Sequence, residues 1–182
     1  LSIVASLLNM QSEKATDNYH KDLFLESRNR LDSIASVHEL IYKSKSYSSL
    51  NFKDYLSQII DYLAKVYDSN SKIEIIRKIS DVHIDISFAL PLALIVNELI
   101  TNSYKHAFTQ NKNGVIELAF NETKNKVSLT ITDNGVGFDK KKIEKKSMGM
   151  DIIDGLIDQI NGKCIFESNG NGTKYEISFS KK

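Results

Sequence analysis

The chain has 182 residues, 41% of them hydrophobic and 26% charged, with 24 Lys and Arg against 23 Asp and Glu. That length suits one generous domain, or one domain with an appendage, and the near-neutral charge gives no field to draw it to nucleic acid or a membrane surface. Cys164, the one cysteine, excludes an intrachain disulfide or a cysteine-based metal site and fits a reducing, cytoplasmic setting.

No apolar run reads as long enough to span a membrane, and no signal peptide is seen, so no direct membrane contact is expected of this stretch. It opens at Leu1, mid-pattern in an apolar helix, and reads as a piece of a longer protein whose upstream part could carry an anchor or sensor. Residues 1 to about 12 predict a helix with Leu1, Val4, Leu7 and Leu8 on one stripe. Thr16 or Asp17 is placed to cap a second helix over about 19–44. Phe24, Leu31, Ile34, Ala35, Val37, His38 and Ile41 make its apolar seam, with Glu26, Arg28, Arg30, Asp32 and Glu39 around it.

Two helices joined by a short polar loop form an antiparallel hairpin. The second is ~39 Å long against ~18 Å for the first, so the first is expected to continue upstream of Leu1. The seam needs another surface, and self-association into a four-helix bundle supplies one. After a turn-like SYSSLN, residues 52–67 show Tyr55, Leu56, Ile59, Ile60, Leu63 and Val66 at helical spacing. Residues 72–79 and 83–86 then read as isoleucine-rich strands.

The stretch 90–108, LPLALIVNELITNSYKHAF, is the predicted central helix, with Pro91 in its first turn and Leu92, Leu94, Ile95, Leu99 and Ile100 at helical spacing. Glu98 and Asn102 stack on one face, and Lys105 follows on that side. A carboxylate, an amide and an ammonium on a largely buried helix need partners. Residues 115–120 and 126–132 alternate as an antiparallel hairpin, a long loop follows, 150–160 forms a short helix, and 163–167 and 174–179 are two last strands. The pattern divides near 48–51 into a helical arm, 1–48, and an α+β unit with a mixed sheet, 49–182.

Three short motifs carry chemistry. Asp133-Asn134-Gly135-Val136-Gly137-Phe138 follows a strand and is either a plain loop or a nucleotide site, since glycines let a ligand approach the main chain and an aspartate there can accept from an exocyclic amine. Ser147-Met148-Gly149-Met150 opens a helix, whose free N–H groups suit a phosphate. Gly170-Asn171-Gly172-Thr173 leads into the last strand.

Taken in order, NELITNSYKHAF, DNGVGFD, MGM and NGT resemble the N box and glycine boxes of the ATP-binding domain shared by sensor histidine kinases, type II topoisomerases, heat-shock chaperones and mismatch-repair ATPases. The arm, SLLNMQS…ESRNRLDSIASVHELIYKS, is similar to the dimerisation and phosphoacceptor hairpin of HWE/HisKA-type histidine kinases. The resemblance implies a four-helix dimer joined to a Bergerat-type α/β sandwich that binds ATP with Mg²⁺. It implies Asn102 as the Mg²⁺ ligand and Glu98 as general base, metal support or orienter of the phosphoacceptor. Lys105 and His106 would lie at the nucleotide, with Lys105 on its phosphates. Asp133 would read the adenine amino group, Gly135 and Gly137 would shape the pocket, Gly149 would meet the phosphates, and Thr173 would support Asp133. Only Gly149 stands where many such kinases have two glycines. The lysine-rich segment 139–146 would be the lid over the phosphates.

Of the four histidines, His20 starts the second arm helix, His38 faces the seam, His83 lies in a strand and His106 in the N box. The resemblance puts the phosphorylated histidine just upstream of Leu1. The expected function is that of a histidine kinase core, homodimeric through the hairpin, moving the γ-phosphate of ATP to a histidine and then to an aspartate of a response-regulator receiver domain. The competing readings are an anti-sigma-type serine/threonine kinase, which would lack this hairpin, and a nucleotide-binding dimer or scaffold without kinase activity.

Overall fold

Two helices lead the chain, α1 (Ser2–Lys14) and α2 (Asn18–Lys43), followed by β1 (Ser49–Asn51), α3 (Phe52–Tyr67), β2 (Ile73–Ile79), β3 (His83–Asp85) and α4 (Ile86–Asn102). A π-helical turn (Ser103–Ala107), β4 (Gly114–Thr123), β5 (Lys126–Asp133), α5 (Met148–Gln159), β6 (Lys163–Asn169) and β7 (Gly172–Ser180) complete it. The structure is a computed structural model and describes residues 2–43, 49–68, 72–108, 113–138 and 148–180. The lysine-rich segment expected to form the lid lies outside the described residues.

The alternating patterns become a mixed five-stranded sheet in the order β2-β4-β5-β7-β6. The β2–β4 pair is parallel and the other neighbours are antiparallel. Tight turns join β4 to β5 and β6 to β7, while the parallel pair needs a crossover, which α4 provides. Period-two alternation puts Ile116, Leu118 and Phe120 of β4, Val127, Leu129 and Ile131 of β5, and Tyr175, Ile177 and Phe179 of β7 on one buried face. The opposite face is polar and carries pairs such as Lys78–Glu117. Helices α3, α4 and α5 cover the apolar face in an α/β sandwich.

Helix α3 starts where Asn51 accepts from the Asp54 N–H at 3.2 Å, and it buries the predicted stripe up to Leu63, with Val66 left exposed. Helix α4 starts earlier than expected, because Asp85 accepts from the Ser87 N–H at 2.8 Å and caps it there. Pro91 is therefore the sixth helical residue, not a first-turn proline. With its π-helical turn, this element reaches 22 residues and is long and apolar enough to cross a membrane, contrary to the sequence expectation. It is instead the centre of the core, with Leu92, Ile95, Val96 and Ile100 completely enclosed. The turn-like SYSSLN also differs from expectation: its end is β1, which pairs with β3 and sets Leu50 opposite Ile84 in the core.

In the arm, Asp17 accepts from the His20 N–H at 2.9 Å and opens α2, as its sequence predicts. Arg28 donates to Asn9 at 2.9 Å and ties the two helices. Phe24 and Leu31 are half-buried, while Ile3, Val4, Leu7 and Met10 are exposed along α1. The side chains of Leu1, Ile34, Val37, His38 and Ile41, expected on the stripe and seam, lie outside the described residues.

Candidate nucleotide site

The inward alternation of β5 does not end with its last apolar residue. Two positions after Ile131 it turns Asp133 toward the core, where the residue is 7% exposed. One carboxylate oxygen accepts from the Gly135 N–H and the other from the Ser103 hydroxyl, each at 3.0 Å. Burial pushes this carboxyl above the usual aspartate range, while bonds from Gly135, Ser103 and the Thr173 backbone pull it back. A carboxylate offers about four lone pairs, so these partners leave Asp133 further capacity to accept.

The loops around Asp133 approach one another too closely for side chains. A Cβ on Gly135 would collide with Ala107, whose carbonyl accepts from the Val136 N–H at 3.0 Å. Gly172, at φ +136°, passes against the Asp133 carbonyl, a conformation and an approach that only glycine suits. Gly137 sits against Asn169, and Ser168 accepts from the Phe138 N–H at 2.8 Å while meeting the Thr173 hydroxyl at 3.2 Å. Thr173 stands opposite Asp133 in the β5–β7 register.

The second group centres on the end of α4 and the start of α5. Glu98, Asn102, His106 and Gly149 line one cavity of about 440 Å³, whose other wall is α2. Thr101 also lines it, and its hydroxyl has no hydrogen-bond partner among the described residues. Glu98 is held by Arg30 of α2: Nε donates to one carboxylate oxygen at 2.6 Å and Nη2 to the other at 2.9 Å. Lys105 does not line the cavity; it donates to Glu26 of α2 at 2.6 Å. The π-helical turn carries it off the stripe predicted from α-helical spacing. Partial desolvation and the charge of Lys105 press the His106 imidazole below its ordinary value, and Glu26 opposes them.

The candidate residues thus fall into two clusters. Asp133, Gly135, Gly137 and Thr173 gather at the end of β5, and Glu98, Asn102, His106 and Gly149 gather on the cavity. Ser103, Ser168, Glu26 and Arg30 are additional members that the sequence reading did not single out for the site. No group of three His, Cys, Asp or Glu able to hold a metal exists among the described residues. Asn102 offers one side-chain oxygen on the cavity, a donor that suits Mg²⁺, which takes one or two protein oxygens and fills the rest of its shell with phosphate and water.

Two family models match different parts of the chain. A family model described as histidine kinase-, DNA gyrase B-, and HSP90-like ATPase matches residues 89–182, and one described as histidine kinase matches residues 1–67. Sensor histidine kinase PdtaS of Mycolicibacterium smegmatis is 25% identical over 162 residues, 86% of this chain and 32% of that protein. The chain therefore spans about a third of the length of such relatives. Serine-protein kinase RsbW of Staphylococcus aureus is 27% identical over 100 residues, but these are 44% of this chain and 61% of that protein. Among solved structures, the histidine kinase domain of the blue-light activated histidine kinase from Erythrobacter litoralis EL346 superposes with a TM-score of 0.76. It covers 98% of this chain and 95% of that one at 16% identity, a likeness of fold. The chain belongs to the histidine kinase-, DNA gyrase B- and HSP90-like ATPases, and its leading helices match the histidine kinase model.

Proposed function

We propose that this chain serves a two-component sensor kinase: it binds Mg–ATP, passes the γ-phosphate to a histidine, and so supplies an aspartate on a response-regulator receiver domain. In the first step a histidine ring nitrogen forms the N–P bond with its lone pair. The bond from the γ-phosphorus to its bridging oxygen breaks, and ADP leaves with that electron pair. In the second, the receiver carboxylate forms the O–P bond and the histidine nitrogen recovers its pair. Residues 1–48 act as the dimerisation and phosphotransfer hairpin, and 49–182 as the ATP-binding unit. The exposed Ile3, Val4, Leu7 and Met10 support a homodimer through the arm. Its setting is the cytoplasm.

The observation that carries the nucleotide reading is the buried Asp133 carboxylate, fixed by Gly135 and Ser103 and still able to accept from an adenine amino group. Gly135 and Gly137 shape that end, with Thr173 beside it. Asn102 would hold Mg²⁺, which supplies charge stabilisation at the transferring phosphoryl group. Gly149 and Lys105 face the phosphates, Lys105 after leaving Glu26, and His106 adds a neutral imidazole at the rim. Glu98 acts next to the acceptor, as base, metal support or orienter. The helical hairpin, docked on Glu98 through α2, favours a histidine kinase over an anti-sigma-type serine kinase or an inert scaffold.

Calorimetry with Mg–ATP tests the nucleotide reading: Asp133→Asn should weaken binding, and Asn102→Ala should reduce its metal dependence. Unchanged affinity in Asp133→Asn would remove that residue from the site. Labelled γ-phosphate in an acid-labile, alkali-stable linkage, mapped to a histidine in the full-length protein, tests the transfer. A full-length protein that binds ATP yet stays unlabelled would leave the scaffold reading.

A further inference from the structure

The salt bridge between Arg30 and Glu98 joins residues 68 positions apart, one on the arm and one on the core helix. Their side chains are 16% and 8% exposed, so water does little to screen or replace the pair. Both guanidinium bonds, at 2.6 and 2.9 Å, run to different oxygens of the same carboxylate. That two-pronged geometry fixes the carboxylate plane as well as its position, which a single lysine bond cannot do. The Glu98 bonds hold the Arg30 guanidinium above its ordinary value, so the cation is permanent.

A fork of this kind uses one lone pair on each oxygen. Of the roughly four acceptor positions on a carboxylate, about two remain, and Glu98 lines the cavity. The carboxylate is thus immobilised without being used up. Glu26 extends the arrangement, since one oxygen binds Lys105 at 2.6 Å and the other lies 3.9 Å from Arg30. Charges alternate along Lys105, Glu26, Arg30 and Glu98, so two charged residues of the ATPase unit are each met by an opposite charge from α2. A second polar tie lies close by: Asn29 donates to the Tyr67 hydroxyl at 2.8 Å.

We infer that Arg30 is a positioning residue of the active site, supplied by the arm, which sets the orientation of the Glu98 carboxylate for phosphoryl transfer. The ATPase unit alone then holds an incomplete site, and docking of α2 completes it. This rests on the role proposed for Glu98 beside the phosphoacceptor. It narrows that role toward an oriented hydrogen-bond acceptor, because the fork fixes the carboxylate plane while about two acceptor positions stay open.

The test uses the full-length protein and two readouts, Mg–ATP affinity and the rate of γ-phosphate transfer at saturating nucleotide. Arg30→Ala should leave affinity nearly unchanged and lower the rate by about 10²-fold, the scale of a small misplacement of a reacting group. Arg30→Lys should recover part of the loss, since it restores charge but not the fork. Glu98→Gln should cost a similar factor, and the double variant Arg30→Ala/Glu98→Gln little more than either alone. Arg28→Ala removes a polar tie within the arm, to Asn9, while leaving the fork intact, and should transfer at close to the parent rate. Multiplying losses in the double variant, an unimpaired or faster Arg30→Ala, or an equal loss from Arg28→Ala would each overturn the inference. Loss in Glu98→Gln with none in Arg30→Ala would defeat this inference while sparing the proposed function. Absence of Mg–ATP binding, or an unimpaired Glu98→Gln, would instead bring down the reading on which it rests.

Discussion

The arm and the sheet-bearing unit are both made with amphipathic helices, but they reach order by different routes. Helix α3 buries Phe52, Tyr55, Leu56, Ile59, Ile60 and Leu63 against α4 and the sheet, so its apolar face is saturated within the unit. Helix α2 has no residue in its described stretch from Leu23 to Asp32 that is fully buried. Its place against the unit is defined by directional polar contacts, Arg30 with Glu98, Lys105 with Glu26 and Asn29 with Tyr67. Apolar burial is strong but indifferent to small slides, whereas a two-pronged ion pair is weak in net terms and strict in geometry. One region is therefore built to stay folded, and the other to be set in register.

The largest test of that contrast is a core truncation. Phe120 is fully enclosed and packs on Phe52 at a ring separation of 4.7 Å, so Phe120→Ala should cost about 3–5 kcal/mol in chemical denaturation. A loss under about 1 kcal/mol would mean that the unit is held by something other than this core.

Asp133→Asn should come next, weakening ATP binding by about 2 kcal/mol, roughly thirtyfold, as a charge-assisted bond is lost. The same residue gives a pH signature. Its folded carboxyl titrates above the unfolded value, so between the two values the native state holds more protons than the unfolded state. This group's contribution to stability therefore falls as pH rises through that window, and recovers as pH falls. Adenine recognition by the ionised form moves the opposite way, weakening as pH falls, and begins to do so at a higher pH than for an ordinary aspartate. Parallel pH trends in denaturation and calorimetry would break the assignment.

Smaller effects mark the places where neither route operates. Gly155 on α5 faces open space, so Gly155→Ala should stabilise the unit by about 0.5–1 kcal/mol, read as a raised melting temperature. Leu7 is 54% exposed, and Leu7→Ala should change the stability of a single chain by less than about 0.5 kcal/mol. If Leu7 lies in a dimer interface, the same variant should lower the association seen by light scattering. A large loss in dilute monomer would show that the arm has an apolar core of its own.

Much of the sheet was legible because alternation is a local signal: β4, β5 and β7 each bury every second residue where the pattern says they should. The inward position of Asp133 follows from the same period. The start of α4 was misread because the isoleucines around Asp85 looked like continuing strand, although Asp85 and Ser87 already formed a cap. The β1 strand escaped because three residues carry no period, and its partner lies more than thirty positions away. At the site, Glu98, Asn102, His106 and Gly149 could be grouped by motif order, and the structure brings them to one cavity. Arg30 and Glu26 could not. On α2 they read as solvated charges beside an apolar seam, and nothing in helical spacing announces a partner 68 or 79 positions later.

The wide turn at Ser103–Ala107 has a consequence for how this chain tolerates change in length. By closing its bonds one residue late, it acts as a one-residue insertion absorbed inside a helix. Ala107 is thereby set under the Gly135 loop, while Glu98, Asn102 and Ser103, whose N–H still reaches the Leu99 carbonyl, keep the phase of the preceding α-helix. Deleting one residue here would give a more regular helix and a worse protein, because everything after the deletion would turn by about 100°. The phase between the arm-facing and β5-facing sides is thus encoded in chain length, and substitutions that preserve every side chain's chemistry could not replace it.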